Sequence, residues 1–90
     1  MNSLNNKKKF DNCLVTYSYK GCEKYFDRFE KTISNQKYKS FDVLIFNDKC
    51  KLKDIKINNP YKIINYSKGV FKNRINSLKV LLKMNYKKAH

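Results

Sequence analysis

The sequence has few of the residues from which metal centres and disulfide frameworks are built. It contains one histidine and three cysteines in 90 residues. Cys13, Cys22 and Cys50 are odd in number and show no CxxC spacing, so neither a disulfide framework nor a zinc site is predicted. The one histidine, His90, is the last residue of this sequence, and no histidine-based catalytic triad is predicted. The pattern favours reduced, half-buried thiols in a cytosolic protein.

Long apolar runs and nucleotide-loop signatures are missing too. No apolar run approaches the roughly 18 residues that a membrane-spanning helix needs. The basic start, MNSLNNKKKF, is not followed by an apolar region, so no signal peptide is predicted. Neither GxGxxG nor GxxxxGK[ST] occurs, so neither a Rossmann dinucleotide site nor a P-loop is indicated. We expect a cytoplasmic protein, and peripheral contact with the inner face of the membrane stays open.

Acidic residues are scarce. Seven Asp and Glu stand against 21 Lys and Arg, which gives a formal net charge of +14. Such an excess attracts polyanions and anionic membranes without choosing among nucleic acid, nucleotide and lipid. Only Arg28 and Arg74 are arginines, whereas proteins that read nucleic acids often use arginine forks. We therefore expect no specific nucleic-acid binding, and a solvated lysine-rich surface is the alternative explanation of the charge.

The chain is long enough for one domain at most, and its hydrophobic fraction of 41% suffices for a core. Residues 1–11 are polar and basic and predict a flexible arm, which leaves residues 12–90 for the domain. Runs of β-forming residues predict strands at 13–19, 43–48 and 62–66.

Two further segments carry apolar residues at intervals of three and four, which is typical of helices. They are CEKYFDRFEKTISNQ, residues 22–36, and VFKNRINSLKVLLKMNYKK, residues 70–88. A turn at 67–69 precedes the second helix. The apolar positions are Cys22, Tyr25, Phe26, Phe29 and Ile33 in the first helix, and Phe71, Ile75, Leu78, Leu81, Leu82 and Tyr86 in the second.

The order strand, helix, strand, strand, helix contains a β-α-β crossover, which favours a mainly parallel sheet. We predict an α/β fold, a partial doubly wound, Rossmann-like three-layer sandwich with three strands. It stops where a fourth strand is expected to begin. Half a sheet of this kind leaves unpaired backbone groups, so we expect the isolated chain either to be marginally stable or to self-associate through the exposed sheet edge.

Candidate binding residues follow the predicted strands, at the edge where ligands bind in open α/β sheets. Thr16 and Tyr17 end the first strand, Asp48 ends the second, and Arg74 lies near the start of the last helix. An aromatic face can stack on a base, a carboxylate can accept a ring N–H, and a guanidinium at a helix N-terminus can hold a diphosphate. Together they predict a nucleotide site. Taken singly, each has an alternative as a core, turn or surface residue.

Three segments resemble, in order, motifs of the family 2 glycosyltransferases. TISNQKYKSFDVLIFND resembles the family's S-x-x-N-Q-x-Y helix end followed by a strand that ends in an acid. LVTYSY resembles its first strand, which commonly reads P-T-Y-N, and GVFKNRINSLK resembles its G-x-x-x-x-R-N-x-G-L element. The resemblance spans residues 13–86 and implies a GT-A fold that binds a nucleotide-diphosphate-sugar donor.

The resemblance also implies roles for single residues. Tyr17 is expected to stack on the base with Thr16 beside it, Asp48 to hydrogen-bond the base, often a uracil, and Arg74 to contact the diphosphate. Three positions depart from the family pattern. These are Ser18 where Asn is common, Ile75 where Asn follows the Arg, and Ser77 where Gly is found.

The family's metal-binding D-x-D motif and its catalytic base are expected beyond His90, so no catalytic residue is predicted here. Mn²⁺ or Mg²⁺ is expected only in a full-length enzyme, and none is expected to bind this chain alone. The sequence thus predicts the donor-binding part of a glycosyltransferase, with a UDP-sugar donor and a saccharide or lipid-linked acceptor. The alternative is a small basic α/β module that binds nucleic acid or an anionic membrane without catalysis.

Overall fold

A four-stranded parallel sheet forms the middle layer of the protein. The computed structural model describes residues 8–52, 55–65 and 69–90, without the side chains of residues 70 and 71. All strand pairs are parallel, in the spatial order β3-β2-β1-β4. The predicted α/β, Rossmann-like fold is confirmed, with one strand more than predicted. The strands are β1 (Asn12–Tyr19), β2 (Asp42–Asp48), β3 (Tyr61–Asn65) and β4 (Lys88–Ala89).

The two helices cover opposite faces of the sheet. Helix α1 (Phe26–Ser34) follows a 3₁₀ turn at Glu23–Tyr25, and helix α2 (Val70–Met84) follows β3. Helix α1 lies on one face, where Ile33 packs against Val43 and Ile45 of β2. Helix α2 lies on the other face, where Met84 packs against Leu44 and Phe46. Residues 43–46 are fully buried, as expected for a strand in the middle of a parallel sheet. Neither helix in the described part of the chain has the length and apolarity to cross a bilayer.

The fourth strand lies beside β1, on the edge away from β2. Asn12 pairs with Lys88, and Cys13 pairs with Ala89. The predicted last helix ends earlier than expected because Asn85 adopts a left-handed conformation (φ 59°), a common helix end for Asn. The chain runs from β1 to β3 in one direction and then returns to β4 beside β1. The sheet order therefore reverses at β1, and such a switch point is where open α/β sheets bind ligands.

Only some of the apolar residues that predict helix α2 pack on the sheet. Leu81 does, together with Val80 and Met84, but Ile75, Leu78 and Leu82 face away from it and are exposed. Two short polar side chains take the buried positions on the sheet side. They are Asn73 and Ser77.

A buried carboxylate closes the amino end of the sheet. Asp42 is fully buried, and its Oδ2 accepts hydrogen bonds from the backbone N–H of Lys9 (2.8 Å) and the hydroxyl of Tyr86 (2.7 Å). The N–H of Phe10 lies 3.3 Å from both carboxylate oxygens. This network ties the segment before β1 and the loop between α2 and β4 to the central strand.

Some predicted segments fall outside the described residues. These are residues 1–7 of the arm, Tyr66 at the end of the predicted third strand, and residues 67 and 68 of the turn. The remainder of the arm contacts the domain, since Lys8 donates a hydrogen bond to the carbonyl of Asn85 (2.7 Å) in addition to the contacts of Lys9 and Phe10 with Asp42.

Cys13 beside Asp42 predicts a loss of stability in alkaline solution. Burial, and next the negative charge of Asp42, raise the pKa of the thiol from 9.0 to about 11. The folded state therefore holds this proton more tightly, and the resulting stability is complete below pH 9.0 and lost as the pH rises through about 11.

We expect the free energy of unfolding to fall more steeply with pH in wild type than in Cys13→Ala. Urea denaturation across this window measures both slopes, with Cys22→Ala as the control; equal slopes in wild type and Cys13→Ala would contradict the assignment.

Candidate functional site

Three of the four predicted site residues lie on the α2 face of the sheet. Tyr17 pairs with Phe46 across β1 and β2, and Asp48 follows two residues later on β2. Because alternate residues of a strand share a face, Tyr17 and Asp48 point to the same side. Arg74 belongs to the second turn of α2, which covers that side. Thr16 precedes Tyr17 on β1, so its side chain lies on the opposite face.

Tyr17 and Arg74 are in direct contact. The guanidinium carbon lies 5.0 Å from the centroid of the Tyr17 ring, which is cation–π geometry. Ser77 Oγ donates to the carbonyl of Arg74 (2.6 Å), so the tyrosine hydroxyl is the donor in its 2.8 Å bond with Ser77. The ring also packs on Phe46, with centroids 5.8 Å apart. The hydroxyl of Tyr17 is thus held by Ser77, while the exposed Arg74 side chain covers one face of the ring.

Asp48 lies at the N-terminus of α2. Its Oδ2 accepts a hydrogen bond from the N–H of Gly69 at 3.1 Å. Gly69 is the N-cap of the helix, with φ 97°, a backbone conformation that side-chain-bearing residues rarely adopt. A carboxylate offers about four acceptor positions, and the bond to Gly69 uses one of them. The half-buried carboxylate therefore caps the helix and retains capacity for a second donor.

A buried asparagine joins the carboxyl ends of three strands beneath this rim. The Oδ1 of Asn47 accepts from Ser18 Oγ (2.7 Å) and from the N–H of Cys50 (3.1 Å). Its Nδ2 donates to the carbonyl of Cys50 (2.9 Å) and to Asn65 Oδ1 (3.0 Å). Lys49 adopts φ 64°, which turns the chain sharply enough to close these bonds. A satisfied network of this kind makes the rim rigid, and sequence reasoning did not assign it a role.

Asn73 is a second residue that sequence reasoning missed. It is buried, and its Nδ2 donates to the carbonyl of Phe46 at 3.2 Å. Its Oδ1 has no hydrogen-bond partner within the described residues. An unsatisfied buried acceptor disfavours folding by about 1–3 kcal/mol, and such groups in native proteins call for an explanation such as an ordered water or a functional role. The sequence carries no signal for this role, because the apolar spacing of α2 does not identify the side that faces the sheet.

The candidate residues do not make a metal site. Within residues 8–52, 55–65 and 69–90, no three His, Cys, Asp or Glu side chains are grouped to hold a metal ion. Of the four predicted site residues, only Asp48 carries a carboxylate. Mg²⁺ and similar hard cations take several oxygen ligands, so the described residues do not fit the ion that the family resemblance implies.

Comparisons with known proteins give no match. A scan against protein-family models finds none, and searches of curated proteins and of solved structures find none either. The resemblance to the family 2 glycosyltransferases therefore rests on the three sequence motifs and the order in which they occur.

Proposed function

We propose that this chain is the donor-nucleotide-binding part of a family 2-like glycosyltransferase, with a UDP-sugar as donor and a saccharide or lipid-linked acceptor. One observation carries the proposal. Tyr17, Asp48 and the N-terminal turns of α2 with Arg74 converge at the carboxyl ends of β1 and β2, beside the point where the sheet order reverses. Such switch points are where open α/β sheets hold nucleotides.

Each part of a nucleoside diphosphate has a chemically matched group at this rim. The ring of Tyr17 offers a stacking face, and the carboxylate of Asp48 accepts the ring N–H of a uracil. The first turn of α2 contains no acidic residue, so its N–H groups and positive dipole end favour an anion there. Arg74 supplies the charge that a diphosphate needs.

The contact between Arg74 and Tyr17 suggests how the two subsites work together. An exposed cation–π contact is worth only about 0.5–1 kcal/mol, whereas a charge-assisted hydrogen bond is worth about 1.5–3 kcal/mol. Since the diphosphate contact is the stronger of the two, a bound nucleotide draws the guanidinium away from the ring. The same movement uncovers a face of Tyr17 for the base. Arg74 thus covers the base subsite in the free protein and holds the phosphates in the complex.

The proposal places the protein in the cytoplasm. Cys13, Cys22 and Cys50 are all free thiols. This supports a reducing compartment, because disulfides form and persist in oxidising ones.

Replacing Arg74 tests the phosphate subsite separately from the base subsite. We expect Arg74→Ala to weaken UDP binding about 10- to 150-fold, which corresponds to the loss of a charge-assisted hydrogen bond. Uridine lacks the diphosphate, so its affinity is not expected to fall; loss of the contact that covers Tyr17 is expected to raise it by up to about fivefold. Calorimetric titration of UDP and uridine into both proteins measures the two changes.

Arg28→Ala is the matched control, since Arg28 is the other arginine of the chain and lies exposed on α1. It removes the same charge from the opposite side of the sheet and is expected to leave both affinities unchanged. If Arg28→Ala weakens UDP binding as much as Arg74→Ala, UDP affinity depends only on the net charge of the protein, and the proposed diphosphate subsite is wrong.

A further inference from the structure

Helix α2 exposes an apolar stripe on the side that faces away from the sheet. Ile75, Leu78 and Leu82 are 42%, 62% and 82% exposed, and intervals of three and four residues place them on one face of the helix. We call these three residues the outer stripe. Among the described residues, the other exposed large hydrophobic side chains are tyrosines, which carry a polar hydroxyl. Aliphatic exposure is therefore concentrated on this helix.

A row of lysines runs beside the outer stripe. Lys79 and Lys83 each directly follow a residue of the stripe, and Lys72 continues the row towards the helix N-terminus. All three side chains are exposed. Because successive residues of a helix are about 100° apart, the row lies next to the stripe and not behind it. The outer side of α2 is thus apolar along one edge and basic along the other.

Charge is also divided along the chain. All seven acidic residues lie in the first 54 positions, and residues 55–90 contain none. The same segment, which includes α2, carries nine Lys and Arg. No carboxylate of α2 or its C-terminal neighbours is present to neutralise the lysine row. The partner of this surface must therefore combine negative charge with an apolar layer.

We propose that α2 docks this protein on a bilayer that carries acidic lipid headgroups. The outer stripe enters the boundary between headgroups and acyl chains, while the lysine row lies at the level of the lipid phosphates, as in interfacial amphipathic helices. Lysine side chains suit this position because their aliphatic part follows the apolar surface and the ammonium stays at the phosphates. The helix lies in the plane of the interface, and the sheet stays in water.

Two other occupants fit less well. A second copy of this chain seated on this face would bring α2 against α2, with no acidic residue in either helix to pair with the two lysine rows. Nucleic acid would match the lysines but would leave the two leucines of the stripe without an apolar partner. An acidic bilayer satisfies both halves of the surface. The proposal does not rest on the nucleotide site, since no residue of the outer stripe is assigned to that site.

Vesicle sedimentation with the full chain tests the proposal. Wild type is expected to bind vesicles of phosphatidylcholine and phosphatidylserine and not vesicles of phosphatidylcholine alone. Leu78→Ser/Leu82→Ser is expected to lower the partition coefficient at least about tenfold, because each leucine contributes apolar burial. Both side chains are exposed, so the fold is expected to persist, which circular dichroism checks. Equal binding by this variant would overturn the proposal.

A pair of charge variants separates the lysine row from the overall charge. Lys79→Gln/Lys83→Gln is expected to lower binding about 5- to 25-fold, since each lysine near an acidic membrane contributes about fivefold. Lys24→Gln/Lys31→Gln removes the same charge from exposed positions near and on α1, and is expected to change binding less than about twofold. Equal losses in the two variants would show unspecific attraction and contradict docking through α2.

Fluorescence reports the position of the stripe directly, because the sequence contains no tryptophan. Leu82→Trp is expected to shift its emission to the blue when acidic vesicles are added, whereas Tyr25→Trp on the 3₁₀ turn is expected to stay unchanged. If Leu82→Trp shifts with protein concentration and not with vesicles, a second copy covers the stripe and the proposal is wrong.

Discussion

Asp42→Ala is expected to cause the largest loss of stability of any single substitution considered for this protein. The change leaves three partly buried donors, the N–H groups of Lys9 and Phe10 and the hydroxyl of Tyr86, without their shared acceptor. Each of these hydrogen bonds contributes about 0.5–1.5 kcal/mol, and more where the acceptor is charged, so we expect a loss of about 3 kcal/mol or more. A chain of this length has about 5–13 kcal/mol in total. Thermal denaturation is expected to show a melting temperature lower by roughly 12–24 °C.

Two further variants make the interpretation specific. Tyr86→Phe removes one donor and leaves the carboxylate with its backbone partners, so the expected loss is only about 1 kcal/mol. Asp27→Ala removes an exposed carboxylate of α1 and is expected to change stability by less than about 0.5 kcal/mol. A melting temperature of Asp42→Ala close to that of Asp27→Ala would show that the network does not hold the amino end of the sheet.

The importance of Asp42 was not visible in the sequence. Its partners are 32 to 44 residues away along the chain. An aspartate that precedes an apolar run is typical of the end of a loop, so the sequence predicted a strand that begins at residue 43 and left Asp42 outside it. The buried run that follows was predicted correctly, because four consecutive apolar residues indicate a strand whatever its neighbours are. The apolar pattern of the sequence thus locates β2. The role of Asp42 depends on hydrogen bonds to residues that are distant in the sequence and come together only in the folded protein.

The orientation of helix α2 on the sheet was likewise not predictable from the sequence. Apolar spacing predicted a helix, and a helix is present. The side that faces the sheet could not be derived from that spacing, because Asn73 and Ser77 occupy buried positions through bonds to Phe46 and Tyr17. The strand β4 was missed because a strand of two residues carries no periodicity. Its pairing is determined by the free edge of β1.

For the candidate site, the strand-end rule placed Tyr17 and Asp48 at one rim without a structure. The contact between Arg74 and Tyr17 was not predictable in this way, since it depends on how α2 is rotated on the sheet. The bond from Gly69 to Asp48 likewise requires the helix to begin beside β2. These two contacts turn a set of plausible residue types into a defined arrangement.

Asp48→Ala is expected to cause the largest loss of nucleotide affinity. The carboxylate is an acceptor-only group at the rim, and its removal leaves the base N–H without a partner inside the site. A loss of about 1–3 kcal/mol follows, which is about 5- to 150-fold in affinity. Uridine is expected to weaken as much as UDP, because the lost contact is to the base. Asp27→Ala, which removes an exposed carboxylate from α1, is expected to bind both ligands as wild type does.

The most direct test of the nucleotide site is a titration of UDP into the ¹⁵N-labelled 90-residue chain, followed by amide chemical shifts. The proposal predicts that the shifts concentrate at Tyr17, Gly69 and Arg74, while the amides of Lys9 and Phe10 at the amino end stay unchanged. Asp48→Ala is expected to need about 5- to 150-fold more UDP for the same shifts. Shifts spread over lysine-rich surfaces, or a folded Asp48→Ala that saturates at the same UDP concentration as wild type, would contradict the nucleotide site.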